Sequence, residues 1–357
     1  MVDIAKCVVW DLDGTLWDGV LLEDGFENIT PNLEIIELIR DLDKKGVINS
    51  IASKNDPETA IVALTRLNIS HLFVAPQIGW GSKSKSIERV ISRLNIGANS
   101  VTFVDDQPYE LAEVADSLPD VECVSVDDIL LHADSPRFRP RFITEESAQR
   151  RSMYQSQLER DQAEESFEGP SESFLASLDM QLQVRRATED DLRRAEELTI
   201  RTNQLNSTGV TYSHEQLAEM LEDDRFLVLI SSLTDRFGPY GTIGLTLIEK
   251  LADRWELHQH LMSCRVMSRG VGGILLGEIV RSAVGNDAYV AAKFVDTGRN
   301  RMMRVLYGMA GFVPGQDENL LGPGTLVHKG ADLAAPVEFM RLDIADLERW
   351  ASIPAQS

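Results

Sequence analysis

Short apolar runs alternate with amphipathic stretches along the first 126 residues. The apolar runs are rich in β-branched residues and predict buried parallel strands at KCVVW (6–10), VINSIAS (47–53), LFVA (72–75), VTFVD (101–105) and VECVSV (121–126). Helical periodicity is found between them, near 31–45, 57–67, 84–94 and 108–117, with Pro31 suited to the first position of the first helix. This alternation predicts a doubly wound α/β sheet, whose chemistry gathers at the carboxyl ends of its strands.

The pattern changes after residue 126. Residues 127–178 are polar and mostly helical in pattern, with a break at GPSES (169–173), and we interpret them as a helical linker. A second α/β domain follows over 179–357. Its predicted strands are 180–187, 226–230, 241–250, 255–262 and 289–295, and its predicted helices lie near 188–200, 270–283 and 299–309.

Composition narrows the class of protein. The chain has 357 residues, of which 43% are hydrophobic and 26% charged, as in ordinary globular enzymes. A net charge of −22 argues against nucleic-acid binding, and docking of an acidic protein would need a local basic patch. Apolar runs are too short for a membrane span, and the N-terminus lacks a signal-peptide pattern. Three cysteines without C-x-x-C spacing favour a reducing compartment, so we expect a cytoplasmic protein.

Polar residues suited to phosphoryl chemistry follow the predicted strands of the first domain. They are Asp11 and Asp13, Ser53 with Lys54 and Asn55, Lys83, and the pair Asp105–Asp106. Phosphoryl transfer needs a nucleophile, carboxylates around a metal, and cations or hydroxyls for the phosphate oxygens. The alternative is a set of solvated turn residues. Similarly, Asp56 before Pro57 suits either an orienting role at the site or a plain helix cap.

This set resembles the haloacid-dehalogenase (HAD) superfamily, whose D-x-D-x-T signature matches Asp11, Asp13 and Thr15. The resemblance implies that Asp11 attacks phosphorus and Asp13 acts as general acid. It also implies that Ser53, Lys54, Asn55 and Lys83 bind phosphate, and that Asp11, Asp13 (through its carbonyl) and Asp105 hold Mg²⁺. Only some twenty residues separate Asp11 from Pro31, so we expect a HAD-type Rossmann-like sheet without a large cap. WDGVLLEDG (17–25) would form a small flap.

The second domain contains a thiol beside a glycine-rich turn, in LMSCRVMSRGVGG (261–273). Such a turn opening a helix presents backbone N–H groups to phosphate or pantetheine. Together with TGRNRMMRVLYGMAGFV (297–313), it resembles the GNAT acyltransferase fold. Cys264 lies next to Arg265 and near Arg269, whose charges favour a thiolate. Cys7 and Cys123 fit small buried residues instead.

No base for Cys264 is evident in the sequence. His258 and His260 share its parity on the predicted strand, but at about 3.3 Å per residue His260 would be about 13 Å away. Both histidines therefore fit a role on the strand better than a role as base.

Six segments together resemble the FkbH-like family of glyceryl transferase/phosphatases, which join a HAD subfamily IIIC domain to a GNAT-like domain. They are KCVVWDLDGTLWDGVLLEDG, SIASKNDPETA, FVDDQPYELAEV, TEESAQRRSMY, LTIRTNQLNSTGVTYS and LMSCRVMSRGVG. The resemblance extends from Lys6 to about Phe312 and departs at Gly14, where many members carry Asn. It implies that D-1,3-bisphosphoglycerate supplies a 3-phosphoglyceryl group, which is bound to a cysteine and dephosphorylated. D-glyceryl then passes to an acyl carrier protein for polyketide units such as methoxymalonyl.

Carried over residue by residue, the resemblance makes Cys264 the acyl acceptor. Arg265 and Arg269 become neighbours of the phosphate or the carrier arm. Asn203, Gln204 and Asn206 would line the glyceryl hydroxyls, although a helix end followed by a capped turn explains them equally well. Two other functions fit the same chain: a stand-alone phosphatase with a covering second domain, or a scaffold that binds carrier proteins.

Overall fold

The computed structural model describes residues 4–139, 143–315, 324–328 and 340–344. The chain divides into two compact units, Met1–Gln162 and Ala163–Ser357. Segments interpreted as linker contribute to the core of one unit or the other, because Ile129 and Tyr154 are buried in the first and Phe174 in the second. Within the described residues, no helix combines the length and the apolar character needed to cross a membrane.

The N-terminal unit is a parallel five-stranded sheet with apolar clusters on both faces. Its elements are β1 (Cys7–Trp10), β2 (Trp17–Asp18), α1 (Leu21–Asp24), β3 (Thr30–Pro31), α2 (Leu33–Lys44), β4 (Ile48–Ser53), α3 (Pro57–Arg66), β5 (Gln77–Ile78), α4 (Lys83–Leu94), β6 (Val101–Val104), α5 (Pro108–Ser117), β7 (Glu122–Val124), α6 (Val126–His132), α7 (Glu145–Ala148) and α8 (Arg150–Glu165), the last of which contains the boundary between the units. The strand order is β5-β4-β1-β6-β7. The predicted Rossmann-like fold is therefore confirmed.

Burial on both faces explains the continuous apolar runs. In β1, Val8 and Trp10 point into one cluster, whereas Cys7 and Val9 point into the other. Strands that bury both faces cannot show polar alternation, so runs such as CVVW are their expected signature. Because β4 and β6 both pair with β1 in parallel, their carboxyl ends lie on the same edge as that of β1.

Two local predictions in this unit are wrong. The strand predicted at 72–75 is a 3₁₀ turn and a single bridge from Phe73 to Asn49, and the fifth strand forms at Gln77–Ile78. Pro31 does not begin a helix. It pairs with Trp17 in a short hairpin, and Asn32 caps α2 by accepting a hydrogen bond from the Ile35 amide at 3.3 Å. An Asn side chain can cap a helix because its oxygen accepts a hydrogen bond, whereas the ring of Pro31 has no acceptor.

The C-terminal unit is built on a mixed sheet of eight strands among the described residues. Its elements are α9 (Ser171–Ser177), β8 (Met180–Arg186), α10 (Leu192–Arg201), α11 (His214–Glu222), β9 (Phe226–Asp235), β10 (Gly238–Lys250), β11 (Arg254–Met262), α12 (Val271–Val284), β12 (Tyr289–Lys293), α13 (Arg301–Met309), β13 (Val313–Pro314), β14 (Thr325–His328) and β15 (Met340–Ile344). The strand order is β13-β14-β12-β11-β10-β9-β8-β15. This confirms the predicted second α/β domain, and α11 and β13–β15 are elements that the pattern did not predict.

One feature of this sheet shapes the surroundings of Cys264. The parallel strands β11 and β12 pair only over 254–257 and 289–292. Beyond that point β11 bonds instead to the loop after α10, through Met262 N to Leu205 O and Ser207 N to His260 O. A 3₁₀ helix at Cys264–Arg269 then leads to Gly270 (φ +73°) and α12.

Candidate functional site

The N-terminal unit gathers charged side chains at the carboxyl edge of its sheet. Asp11 follows β1, Asp105 follows β6, and Lys83 is the first residue of α4. The Lys83 ammonium is 3% exposed and lies 3.0 Å from Asp11 Oδ2 and 2.5 Å from Asp105 Oδ2. Residues from three separate elements therefore form one buried ionic cluster.

The cluster carries more negative charge than Lys83 can balance. Oxygens of Asp11, Asp105 and Asp106 lie within 4.8 Å of one another. Asp11 Oδ1 is buried and accepts no well-aligned hydrogen bond from the described residues. A buried carboxylate oxygen without a donor is costly unless a ligand satisfies it. Three hard oxygen donors around such an atom fit a divalent cation such as Mg²⁺.

The pKa values of the cluster reflect the same excess of negative charge. Burial raises the pKa of Asp11 against the opposing effects of Lys83 and the nearby Ser53 hydroxyl. Burial, followed by the charge of Asp11, raises the pKa of Asp105. Burial alone would lower the pKa of Lys83, but the two carboxylates outweigh it and the net shift is upward. Each shift is the response of a buried group to charges that lack full compensation.

Asp13 is oriented by donors on three sides. Its Oδ1 accepts hydrogen bonds from the Trp17 indole at 2.7 Å and the Leu21 amide at 3.1 Å, and its Oδ2 accepts one from the Asn55 amide side chain at 3.0 Å. Asn55 is fully buried. Asn55 and the flap beginning at Trp17 thus hold Asp13, the predicted general acid, in one orientation.

The remaining predicted phosphate ligands lie beside the cluster. Ser53 is the buried last residue of β4. Lys54, the next residue, is 39% exposed and donates to Glu110 Oε1 on α5 at 2.5 Å. Glu110 lies in the first turn of α5, and a carboxylate at the start of the helix that follows Asp105–Asp106 is the signal that could have identified it from the sequence. Asp56 caps α3 by accepting a hydrogen bond from the Thr59 amide at 2.9 Å, so the cap interpretation fits it.

Gly14 lies in close contact with the acidic pair. Its φ is +73°, and a Cβ there would be 2.5 Å from Asp106 Oδ2. A side chain at this position would displace the Asp106 carboxylate. The DD doublet at a strand end was the sequence signal for Asp106, which was not among the residues predicted to bind metal.

In the C-terminal unit, the structure places Cys264, Arg265 and Arg269 on one 3₁₀ helix. The Cys264 thiol is half-buried and forms no disulfide. Arg265 Nε donates to Ser263 Oγ at 3.2 Å. Arg269 is buried, donates to Glu164 at 2.8 Å and lies over the Phe174 ring at 5.8 Å. These contacts hold Arg269 inside the unit, and its contact with a substrate arm stays a prediction.

The amide-rich turn separates into exposed and buried members. Asn203 and Gln204 are exposed, whereas Asn206 is 1% exposed. Asn206 Oδ1 accepts hydrogen bonds from the Thr208 and Gly209 amides and from Gln259 Nε2, and its Nδ2 donates to Thr202 O. Its hydrogen-bonding groups are engaged inside the protein, as expected for a capped turn.

The two histidines of β11 have different surroundings. His258 lies between Glu249 Oε2 at 2.8 Å and Lys293 Nζ at 3.0 Å. His260 is fully buried and hydrogen-bonded to Thr246 Oγ1 at 2.9 Å, and its burial lowers the pKa to about 4. The structure therefore places His260 in the core as a neutral ring, and the base for Cys264 stays unassigned.

An apolar cavity of about 100 Å³ opens beside the 3₁₀ helix. Its walls come from β11, the 3₁₀ helix, the start of α12 and one side of α13. The lining residues include Met262, Val266, Met267, Met302, Leu306 and Met309. Met262 precedes Cys264 by two residues and Val266 follows it by two, so the cavity flanks the thiol-bearing turn. Methionine side chains adapt to varied apolar ligands, which suits a binding site.

No protein-family model matches the chain, and neither does any curated protein. Among solved structures, the chain is similar to the N-terminal part of a Bacteroides fragilis protein containing a phosphatase domain, complexed with Mg, at 30% identity and a TM-score of 0.32. That match covers 34% of this chain and 36% of the Bacteroides fragilis structure, so this chain spans about a third of its length.

Two further structures match one unit each. A HAD-superfamily hydrolase from Ehrlichia chaffeensis is 13% identical over 38% of this chain and 98% of its own, with a TM-score of 0.31. The ribosomal-protein-S18-alanine N-acetyltransferase from Escherichia coli is 16% identical over 43% of this chain and 100% of its own, with a TM-score of 0.31. Each of the three matches covers less than half of this chain, so the fold assignment rests on the strand order and pairing described above.

Proposed function

We propose that the chain is a bifunctional glyceryl transferase/phosphatase. It takes the 3-phosphoglyceryl group of D-1,3-bisphosphoglycerate onto Cys264, removes the 3-phosphate at Asp11, and delivers D-glyceryl to the phosphopantetheine thiol of an acyl carrier protein. The product would serve polyketide biosynthesis, as the FkbH-like resemblance implies. One observation carries the proposal: Asp11 is buried beside Lys83 with one oxygen left without a donor, among carboxylates that can hold a cation.

The phosphatase step follows from that arrangement. Asp11 attacks phosphorus, so an Asp11–phosphorus bond forms as the bond from phosphorus to the glyceryl oxygen breaks. Asp13, held by Trp17 and Asn55, donates its proton to the departing alkoxide. Water then attacks the phosphoaspartate, loses its proton to Asp13 and releases inorganic phosphate.

Cationic side chains balance charge during this step. Lys83 lies between Asp11 and Asp105, where its ammonium can pair with a phosphoryl oxygen. Mg²⁺, held by Asp11, the Asp13 carbonyl and Asp105 with Asp106 alongside, would neutralise charge on the phosphoryl oxygens. Lys54 stands half-exposed beside Ser53, where it can reach a substrate oxygen if its pairing with Glu110 loosens.

The acyl-transfer steps use Cys264. Its thiolate attacks the acyl-phosphate carbonyl, so a carbon–sulfur bond forms, inorganic phosphate leaves and the thiol proton passes to solvent. The carrier thiolate later attacks the same carbonyl and regenerates Cys264. In support, Cys264 is a half-buried thiol on the turn before α12, and an apolar cavity flanks that turn.

The mass of the intact protein after incubation with D-1,3-bisphosphoglycerate tests the proposal. A covalent adduct that disappears when holo carrier protein is added, together with release of the 3-phosphate, supports the transferase/phosphatase. Release of the 3-phosphate without an adduct indicates the stand-alone phosphatase, and neither product indicates the carrier-binding scaffold. Tryptic mapping of the adduct to Cys264 completes the test, because an adduct on Cys7 or Cys123 would contradict the assignment.

A further inference from the structure

Helix α13 and the loop before it form a basic surface on an acidic protein. Arg299, Arg301 and Arg304 are exposed, and none of them reaches a carboxylate of the described residues within ion-pair distance. Asp296 is the one acidic residue between 295 and 309, in a chain whose net charge is −22. Three uncompensated arginines in such a chain form a local positive region, which attracts an acidic partner.

The same helix exposes apolar side chains. Met302 and Val305 are each 44% exposed and Met309 is 84% exposed. These three residues line the cavity together with Met262 and Val266. The helix therefore carries exposed arginines beside exposed apolar side chains that line a cavity, a combination that favours a binding role.

We propose that α13 is the docking surface for the acyl carrier protein. The arginines at 299, 301 and 304 would pair with acidic side chains of the carrier, while the phosphopantetheine arm enters the methionine-lined cavity toward the turn that carries Cys264. This inference rests on the proposed function, which requires a carrier, and adds where the carrier binds. Carrier domains are small and acidic, so charge complementarity selects them over basic or neutral proteins.

A second basic surface exists on α4 but lacks the apolar component. Lys85, Arg89 and Arg93 are exposed on one side of that helix without ion pairs to described carboxylates. The exposed side also carries Glu88 and Ser92, and no large apolar residue of α4 is exposed. This surface provides a matched control, because it offers the same charge change on a helix of the other unit.

The test compares R301E/R304E with R89E/R93E in the full-length protein. The probe is a holo acyl carrier protein of bacterial fatty-acid synthesis, with its apo form lacking the arm, and Kd is measured by fluorescence anisotropy at low salt. We expect R301E/R304E to weaken binding of the holo carrier by about tenfold or more, and R89E/R93E to change it by less than about twofold. The variant M302E/M309E should weaken holo binding and leave the weaker apo binding unchanged. Circular dichroism confirms that each variant folds.

Several outcomes would overturn the proposal. Equal weakening by both arginine pairs would mean that binding responds only to overall charge, and weakening by R89E/R93E alone would place the carrier on α4. Absence of measurable binding to the wild type, or displacement of the carrier by single-stranded RNA at equal concentration, also contradicts it. Failure of the proposed function is separate, because loading of Cys264 from D-1,3-bisphosphoglycerate is measured without any carrier and should be normal in R301E/R304E.

Discussion

The two units differ in the charge balance around their buried polar groups. At the sheet edge of the N-terminal unit, the carboxylates of Asp11, Asp105 and Asp106 outnumber the buried ammonium of Lys83, and one Asp11 oxygen has no donor among the described residues. Around Cys264, Asn206 and Arg269 are engaged by neighbours within the unit. A buried polar atom without a hydrogen-bond partner costs free energy of folding, and such atoms are found where a ligand binds.

This difference shows what each region can bind. The N-terminal site carries more carboxylates than the one buried ammonium of Lys83 can balance, and its oxygen atoms suit a cation. The Cys264 region has an apolar cavity with methionine walls instead. One chain therefore carries a charged site in one unit and an apolar cavity in the other. The predictions below test that division.

The largest effect is expected at Cys264. Cys264→Ala should abolish the covalent adduct and transfer to a carrier, because no sulfur remains to form a thioester. Hydrolysis of p-nitrophenyl phosphate should stay within about twofold of wild type, since Asp11 belongs to the other unit. Intact mass and phosphate release measure the two. Cys123→Ala, which removes another half-buried thiol, is the control and should keep the adduct. Loss of both activities in Cys264→Ala would show that the two activities do not belong to separate units.

Asp11→Asn should give the reverse result. An amide is a poor nucleophile for phosphorus, so phosphate release from the 3-position should fall by about 10⁴-fold or more. Loading of Cys264 should continue, and an adduct heavier by one phosphate group should accumulate. Asp18→Asn, at an exposed carboxylate of the same segment, should behave as wild type. Phosphate release at the wild-type rate in Asp11→Asn would show that the nucleophile is another residue.

Buried titratable groups of the two units should change the free energy of unfolding in opposite directions as pH falls. His260 has its pKa lowered to about 4 by burial, so the stability it contributes is present above pH 6.5 and is lost as pH falls toward 4. The full effect is about 3 kcal/mol. Asp11 and Asp105 have raised pKa values in the folded protein. Their buried charges destabilise the fold, and this destabilisation is relieved as pH falls toward the pKa values that the two carboxyls have in the unfolded chain.

Thermal unfolding between pH 7 and pH 4.5 measures this contrast. His260→Gln should reduce the acid-induced loss of stability, whereas Asp105→Asn should leave that loss in place. An unchanged pH dependence in His260→Gln would contradict the assignment of a neutral buried imidazole.

The smallest expected effect on stability concerns the metal. Mg²⁺ at about 100 times its Kd should stabilise the protein by about 2.7 kcal/mol, because it binds the folded state alone. Asp105→Asn should remove this stabilisation, and EDTA should stop dephosphorylation while sparing thioester formation. Asp116→Asn, an exposed acid on α5, is the matched control. Equal loss of both reactions in EDTA would mean that the two chemistries share the metal.

The sequence by itself determined the sheet of the N-terminal unit and the set of groups at its edge. Runs such as CVVW and VTFV are typical of strands buried on both faces, and residues that follow neighbouring parallel strands lie at one edge of the sheet. The bounds of α3 and α5 could also be predicted from the sequence, because a proline marks the first turn of each helix. Propensity failed at 72–75, where apolar character was correct but the pairing partner β4 aligned with Gln77–Ile78 instead.

Only the tertiary structure decided which polar groups are engaged within the protein and which are available to a ligand. Arg269 pairs with a glutamate 105 positions away, and Asn206 is bound by a glutamine 53 positions away. No local pattern encodes such partners, although the residue types themselves suggested ligand binding. The same holds for Asp11, whose unpartnered oxygen follows from burial by several distant elements. Hydrogen-bond satisfaction is a property of the folded neighbourhood, because it depends on which distant residues the fold brings into contact.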